Sequence, residues 1–352
     1  MFLAKPIVWP FVDSPNNPIF QHINGSGHNE FYKPTVCDKQ SINTGSGAAM
    51  LYSMTGKTTD NVWAATSPDL ENWTLTSGGI VKATGAGGTW NSSSVFPGYM
   101  WRDPNSLLWY LYYGGSKDFT NTSVGLAVTA GTNFGTTFEE SSISPLWTPA
   151  QYNAASGDRK ENVKVDCVIK VSPSEYWFFG IAFNDDQLAG ALVYGVSSDL
   201  LTPRLDTVIL QATDLKTDCT IITAPSVFKH PVTGKYVITI STRRLVPLNG
   251  FNSEWIISAT SQSSTQPIFR LADFRTNKLI DTNVSIPWKE SEVYANCWLC
   301  KNDMSGDLVN NNGVASLFWA GHEQQDAPYT SAFYTGCPCR SDIAINAIPI
   351  IR

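Results

Sequence analysis

The sequence predicts an all-β chain, a single-domain five-bladed β-propeller, and three observations predict it. One β-rich pattern recurs five times along the 352 residues. Aromatic residues reach 12% while charged residues stay at 15%, the reverse of a chain too polar to bury a core. Gly, Asn, Ser and Thr gather between the apolar runs, where tight turns need residues that tolerate unusual dihedrals or bond their own backbone.

Each unit opens on a short motif, often ending in proline, that leads into a strand. An aromatic strand and a polar loop follow, and then a strand of small and apolar residues. The first unit reads FYKPTV, AAMLYSMTG and VWAATSPDLENWT. The second reads MWRDPNSLLWYLYYGGSKD and SVGLAVTAG, and the third VKVDCVIKV, EYWFFGIAFNDD and ALVYGVSSDLLTP. The fourth is ITAPSVFKH, GKYVITISTRR and EWIISATSQ; the fifth is VYANCWLCK, VASLFWAGHEQQ and TSAFYTGCP. The residue before the Pro or Cys anchors each unit: Lys33, Asp103, Asp166, Ala224 and Asn296, at intervals of 58 to 72 residues. That spacing suits a four-stranded blade with generous loops, and places blade starts near 31, 101, 164, 222 and 293. A Ser-x-Asp-Leu turn occurs twice, at Ser67 and Ser197, where both side chains can bond local N–H groups. The two chain ends are expected to close the ring, one adding a strand to the last blade.

The same residues exclude several roles. A net charge of -6 without a basic run argues against nucleic acid, whose binding rests on neutralised phosphates. No run approaches the roughly 20 apolar residues of a membrane helix, so membrane insertion is not expected. The start, MFLAKPIVWPFVDSP, is broken by prolines and does not read as a signal peptide, which leaves localisation open. Cys297-x-x-Cys300 and Cys337-x-Cys339 have zinc-like spacing, but strand alternation turns thiols three apart to opposite faces. No metal and no cofactor is expected.

In a propeller the innermost strands line a channel, and the loops at one end make the binding site. The anchors are expected to converge there with the ends of the second strands. That collects Lys33, Asp103, Asp166, Lys117, Asp185, Asp186, Arg243, Arg244, His322 and Glu323, beside Trp101 and Arg102. Carboxylates and cations among aromatic rings suit a carbohydrate partner, since polar groups bond hydroxyls and a ring face covers the sugar.

The repeat resembles the five-bladed glycoside hydrolases of families 32, 43, 62 and 68, which act largely on fructosides, arabinofuranosides and xylosides. Arg102-Asp103-Pro104 is similar to the family 32 second-blade motif, whose Asp holds sugar hydroxyls. Asp166-Cys167 is similar to the third-blade Glu-Cys, whose Glu is the acid. The first-blade Asp-Pro nucleophile or base is replaced by Lys33-Pro34, with Asp13 and Asp38 as possible substitutes. Glycoside hydrolysis normally uses two carboxyl groups, so the resemblance implies a rearranged catalytic set. Asp103, Asp166 and Glu323 are then the catalytic candidates. Lys33, Trp101, Arg102, Lys117, Asp186, Arg243 and His322 would bind substrate, with Lys33 pairing Asp103. A histidine near position 322 meets water or a cation in some family 43 relatives, and a structural histidine is the alternative. The competing function is a catalytically inactive propeller, a structural or glycan-binding part of a virion or cell-surface assembly with other subunits as partners. A protein-interaction propeller would lack convergent carboxylates.

Overall fold

The computed structural model describes residues 9–19, 30–39, 47–55, 60–118, 121–184, 190–215, 219–244, 254–281, 292–322 and 336–350. Side chains of residues 30–33, 54–55, 77–78, 219–221, 243–244, 254–255, 275–281, 292–295, 322 and 336–337 fall outside that description. The fold is mostly β. Strands β2 (Glu30–Asp38), β3 (Ala48–Thr55), β4 (Asp60–Ser67) and β5 (Thr74–Lys82) pair in order, as do β6 (Ser94–Arg102), β7 (Trp109–Ser116), β8 (Ser123–Thr129) and β9 (Phe138–Glu140). One parallel bridge, Asp60 to Ser94, joins these two sets into a single sheet.

Three four-stranded sheets complete the chain. The first holds β10 (Asn162–Ser172), β11 (Glu175–Phe183), β12 (Ala191–Ser197) and β13 (Thr207–Gln211). The second holds β14 (Cys219–Lys229), β15 (Tyr236–Arg244), β16 (Glu254–Thr260) and β17 (Phe274–Asp281). In the last, β18 (Glu292–Trp298), β19 (Val314–His322) and β20 (Gly336–Ala344) are joined by the N-terminal β1 (Val12–Asp13), which pairs β20. A helix, α1 (Pro149–Ser156), precedes β10, and its start is fixed by a Thr148–Gln151 capping box.

The strands that open each set touch one another in turn: β2 with β6, β6 with β10, β10 with β14, β14 with β18, and β18 with β2. Apolar clusters fill the spaces between sheets. Trp101, Tyr112, Val165 and Phe178 pack between β6–β8 and β10–β12, and Ile181, Ile222 and Ile240 between β10–β12 and β14–β16.

All five of these inner strands carry a β-bulge, at Lys33-Pro34, Gly98, Asp166, Ala224-Pro225 and Ala295-Asn296. Proline explains three of them, because Pro34, Pro97 and Pro225 lack the N–H a ladder needs. Ala224 adopts a positive φ of 47°, a conformation its surroundings must enforce. Neighbouring bulges abut. Thr35 Oγ1 donates to Gly98 O at 2.9 Å, and Asn296 Nδ2 to Ala224 O at 2.9 Å. Val36 N–H meets Cys297 Sγ at 3.3 Å. Gly98 has no room for a side chain, since a Cβ there would fall 2.1 Å from Val165 O.

The bulges therefore set one level around a shared axis, and the second anchor needs correction. The inner strand of the second unit begins at Ser94, not near 101, and its bulge is at Pro97-Gly98 rather than Asp103-Pro104. Asp103-Pro104-Asn105-Ser106 is instead the hairpin turn between β6 and β7.

The far end of the axis is closed by the segment after β18. Asn302 Nδ2 donates to Asp38 O at 3.0 Å, Lys170 N to Met304 O at 2.8 Å, and Lys229 N to Gly306 O at 2.7 Å. Between this plug and the bulges lies a cavity of about 20 Å³, lined by Thr35, Tyr99, Asp166, Val227, Cys297 and Lys301 among others. It has room for about one water molecule. The axis is thus closed at the plug, and the opposite end, where the inner strands begin, is the end at which the sequence expects the mouth.

Candidate functional site

At the mouth the described carboxylate on the bulge level is Asp166. Burial leaves this residue 6% exposed, and Lys164 Nζ stands 3.7 Å from its Oδ1. Loss of water around the ammonium pushes the Lys164 pKa down to about 8. The two side chains can meet because residues two apart on β10 point to the same face of the strand. Lys33 occupies the corresponding bulge of β2, with its side chain outside the described residues.

The remaining bulges are filled by polar networks rather than acids. Asn296 is 1% exposed and bridges Ala224 O to Ser241 Oγ, while its Oδ1 accepts from Thr239 Oγ1. Thr239 Oγ1 in turn accepts the Trp298 indole N–H at 3.1 Å. These contacts satisfy buried groups and hold β14, β15 and β18 together.

Several sequence-derived candidates are drawn elsewhere. Asp103 lies five positions beyond Gly98, about 16 Å along an extended strand, so it neither joins Asp166 nor pairs with Lys33. Its Oδ2 accepts the Ser106 N–H at 2.8 Å, and its backbone closes the turn with Leu107 and Leu108. Burial would raise the Asp103 pKa, but the Ser106 and Asn105 hydrogen bonds and the Lys170 charge hold it below the usual carboxylate value. Trp101 is core, stacked 5.1 Å from Tyr110. Arg102 is 2% exposed and staples the same hairpin, with Nε donating to Leu107 O at 2.9 Å and its guanidinium over Trp109.

Asp13 and Asp38 do not replace the missing first acid. Asp13 is on β1, at the outer side of the last sheet, and accepts from Ser341 Oγ at 2.7 Å. Asp38 ends β2 beside the plug. Lys117 does belong to the mouth end: it follows β7, is exposed, and its carbonyl accepts from Ser93 Oγ. Asp185, Asp186 and Glu323 lie outside the described residues. Arg243, Arg244 and His322 end β15 and β19 with backbone described and side chains outside the description.

Two mouth residues escaped sequence reasoning. Lys164 looks like an ordinary alternating strand residue. Asp60 is 4% exposed at the start of β4, where its N–H donates to Ser93 O at 3.3 Å. The sequence signal for Asp60 is a charged residue inside a run that otherwise buries; for Lys164 it is also the two-residue spacing from Asp166, which puts both on one face of a strand.

No family model matches the sequence, and no curated protein matches it. Solved structures do. An α-L-arabinofuranosidase from Podospora anserina in complex with cellotriose shares 14% identity at a TM-score of 0.61, over 96% of this chain and 97% of that one. The catalytic domain of a Coprinopsis cinerea GH62 α-L-arabinofuranosidase shares 13% at a TM-score of 0.66, over 96% and 98%. A fructan 1-exohydrolase from Cichorium intybus shares 12% at a TM-score of 0.60, over 92% of this chain and 57% of that one. The chain has the fold of the propeller glycoside hydrolases. Within that glycoside-hydrolase-like propeller, Lys33-Pro34, Phe96-Pro97 and Asp166-Cys167 are the residues at the first three bulges.

Proposed function

We propose that the chain is one five-bladed propeller domain that binds a carbohydrate at the mouth around Asp166 and Lys164. The blades would be β2–β5, β6–β9, β10–β13, β14–β17 and β18–β20 with β1. The observation that carries this reading is the set of five abutting bulges above a plugged axis, in a fold shared with hydrolases of arabinofuranosides and fructans. A blind mouth suits a furanoside-like residue or a short oligosaccharide end rather than a threaded chain.

Hydrolysis is the second reading, favoured by a carboxyl group at Asp166 beside Cys167. It requires a second carboxyl at about 5–9.5 Å, which Asp185, Asp186 or Glu323 would have to supply. Titration calorimetry against xylotriose, arabinofuranosyl xylo-oligosaccharides and short fructans tests binding, with turnover assays on the same sugars. Binding that is lost in Asp166→Ala supports the proposal; no affinity for any member of the panel overturns it. Turnover that disappears in Asp166→Asn while binding persists would select hydrolysis.

A further inference from the structure

Asp166 and Lys164 are met by solvent very unequally. The Asp166 side chain is sealed at 0% exposure, whereas that of Lys164 keeps 15%. Lys164 is also two positions nearer Asn162, the residue that opens β10 at the mouth. Its stem lies beside Gly114 of β7, where an added Cβ would come within 3.6 Å of Lys164 Cβ. Of the two paired groups, the ammonium is therefore the one that keeps contact with solvent, and the carboxylate is sealed.

We infer that Lys164 is the group an incoming sugar meets, that Asp166 is its buried counter-ion, and that the glycan bound there carries a carboxylate, as uronic acids do. An ammonium has three donors and no acceptor. One carboxylate at 3.7 Å is a long ion pair and leaves donors for a second acceptor. A ligand carboxylate is the acceptor that gains most, because charge-assisted hydrogen bonds are about twice as strong as neutral ones. The site also removes water from the ammonium, which an anionic ligand repays and a hydroxyl repays less.

This inference rests on the carbohydrate-binding reading and sharpens its substrate class. Calorimetric titrations compare three ligands on the folded full chain: a short xylo-oligosaccharide, the same backbone bearing one glucuronic acid branch, and the methyl ester of that branch. The wild-type protein should bind the acidic ligand at least about tenfold more tightly than its ester. Lys164→Met should erase that preference, and Lys164→Arg should keep it. Equal affinity for acid and ester, or a preference that survives Lys164→Met, overturns the inference while neutral binding leaves the broader reading standing. Absence of all binding overturns both. The acid–ester comparison needs no variant, so it decides the matter even if Lys164→Met fails to fold.

Discussion

Arg340 shows how single residues hold this molecule together. It is 4% exposed on β20 and binds Glu71, Asp342 and Leu70 O, while its own N–H donates to Asn17 Oδ1 at 2.8 Å. Its side chain thus joins the first unit to the last sheet, and its backbone holds the N-terminal segment. Burial would raise the Glu71 pKa, but hydrogen bonds from Arg340 and Asn16 outweigh it and hold the carboxyl low. A folded pKa below the unfolded one contributes stability that is present above the unfolded value, near 4.3, and lost as pH falls through the folded one. Arg340→Met should cost about 2–4 kcal/mol in denaturant titrations at neutral pH, and should weaken the acid sensitivity of unfolding below about pH 4. By contrast, Asp103→Ala should cost only about 1 kcal/mol, the value of a turn hydrogen bond, and leave glycan affinity intact. A large loss of affinity would return Asp103 to the site.

At the scale of strands and turns, much was legible. The Ser-x-Asp-Leu turns form as their residues dictate: Ser67 Oγ accepts the Leu70 N–H at 2.8 Å, and Asp199 Oδ1 accepts the Leu201 and Thr202 N–H groups at 2.8 Å each. Proline inside an apolar run correctly marked the bulges at Pro34 and Pro225. The second unit misled because two X-Pro pairs, Phe96-Pro97 and Asp103-Pro104, lie in one run, and the rule of the residue before Pro fits both. Turn chemistry distinguished them: Asp-Pro-Asn-Ser is a hairpin turn, and an apolar residue before Pro is not. Lys164 beside Asp166 was legible in principle, since residues two apart in a strand share a face; how little solvent reaches the pair was not, since no local pattern tells which strands will abut. Gly98→Ala tests the close approach of β6 to β10. It should destabilise by about 1–3 kcal/mol and weaken ligand binding, as read by thermal unfolding and calorimetry; an unchanged midpoint would show that the strands can separate without loss.

For the whole molecule, the inner strands touch one another in turn about an axis that the segment after β18 closes at one end. The repeat pattern gave the fold because each unit buries its faces only against its neighbours. The site was less legible, because the burial that seals Asp166 depends on neighbouring strands, which no local pattern names. The N-terminal β1 completes the last sheet, so removing residues 1–17 should lower the thermal midpoint by several degrees; no change would mean that β20 tolerates an open edge. The position of a bound ligand is the most direct test of carbohydrate binding at Asp166 and Lys164. A crystal structure of the protein grown with a bound oligosaccharide should place the sugar at the mouth, at the level of Asp166 and within hydrogen-bond reach of Lys164. Density on the plug side or on the outer strands, with the mouth left empty, would contradict it.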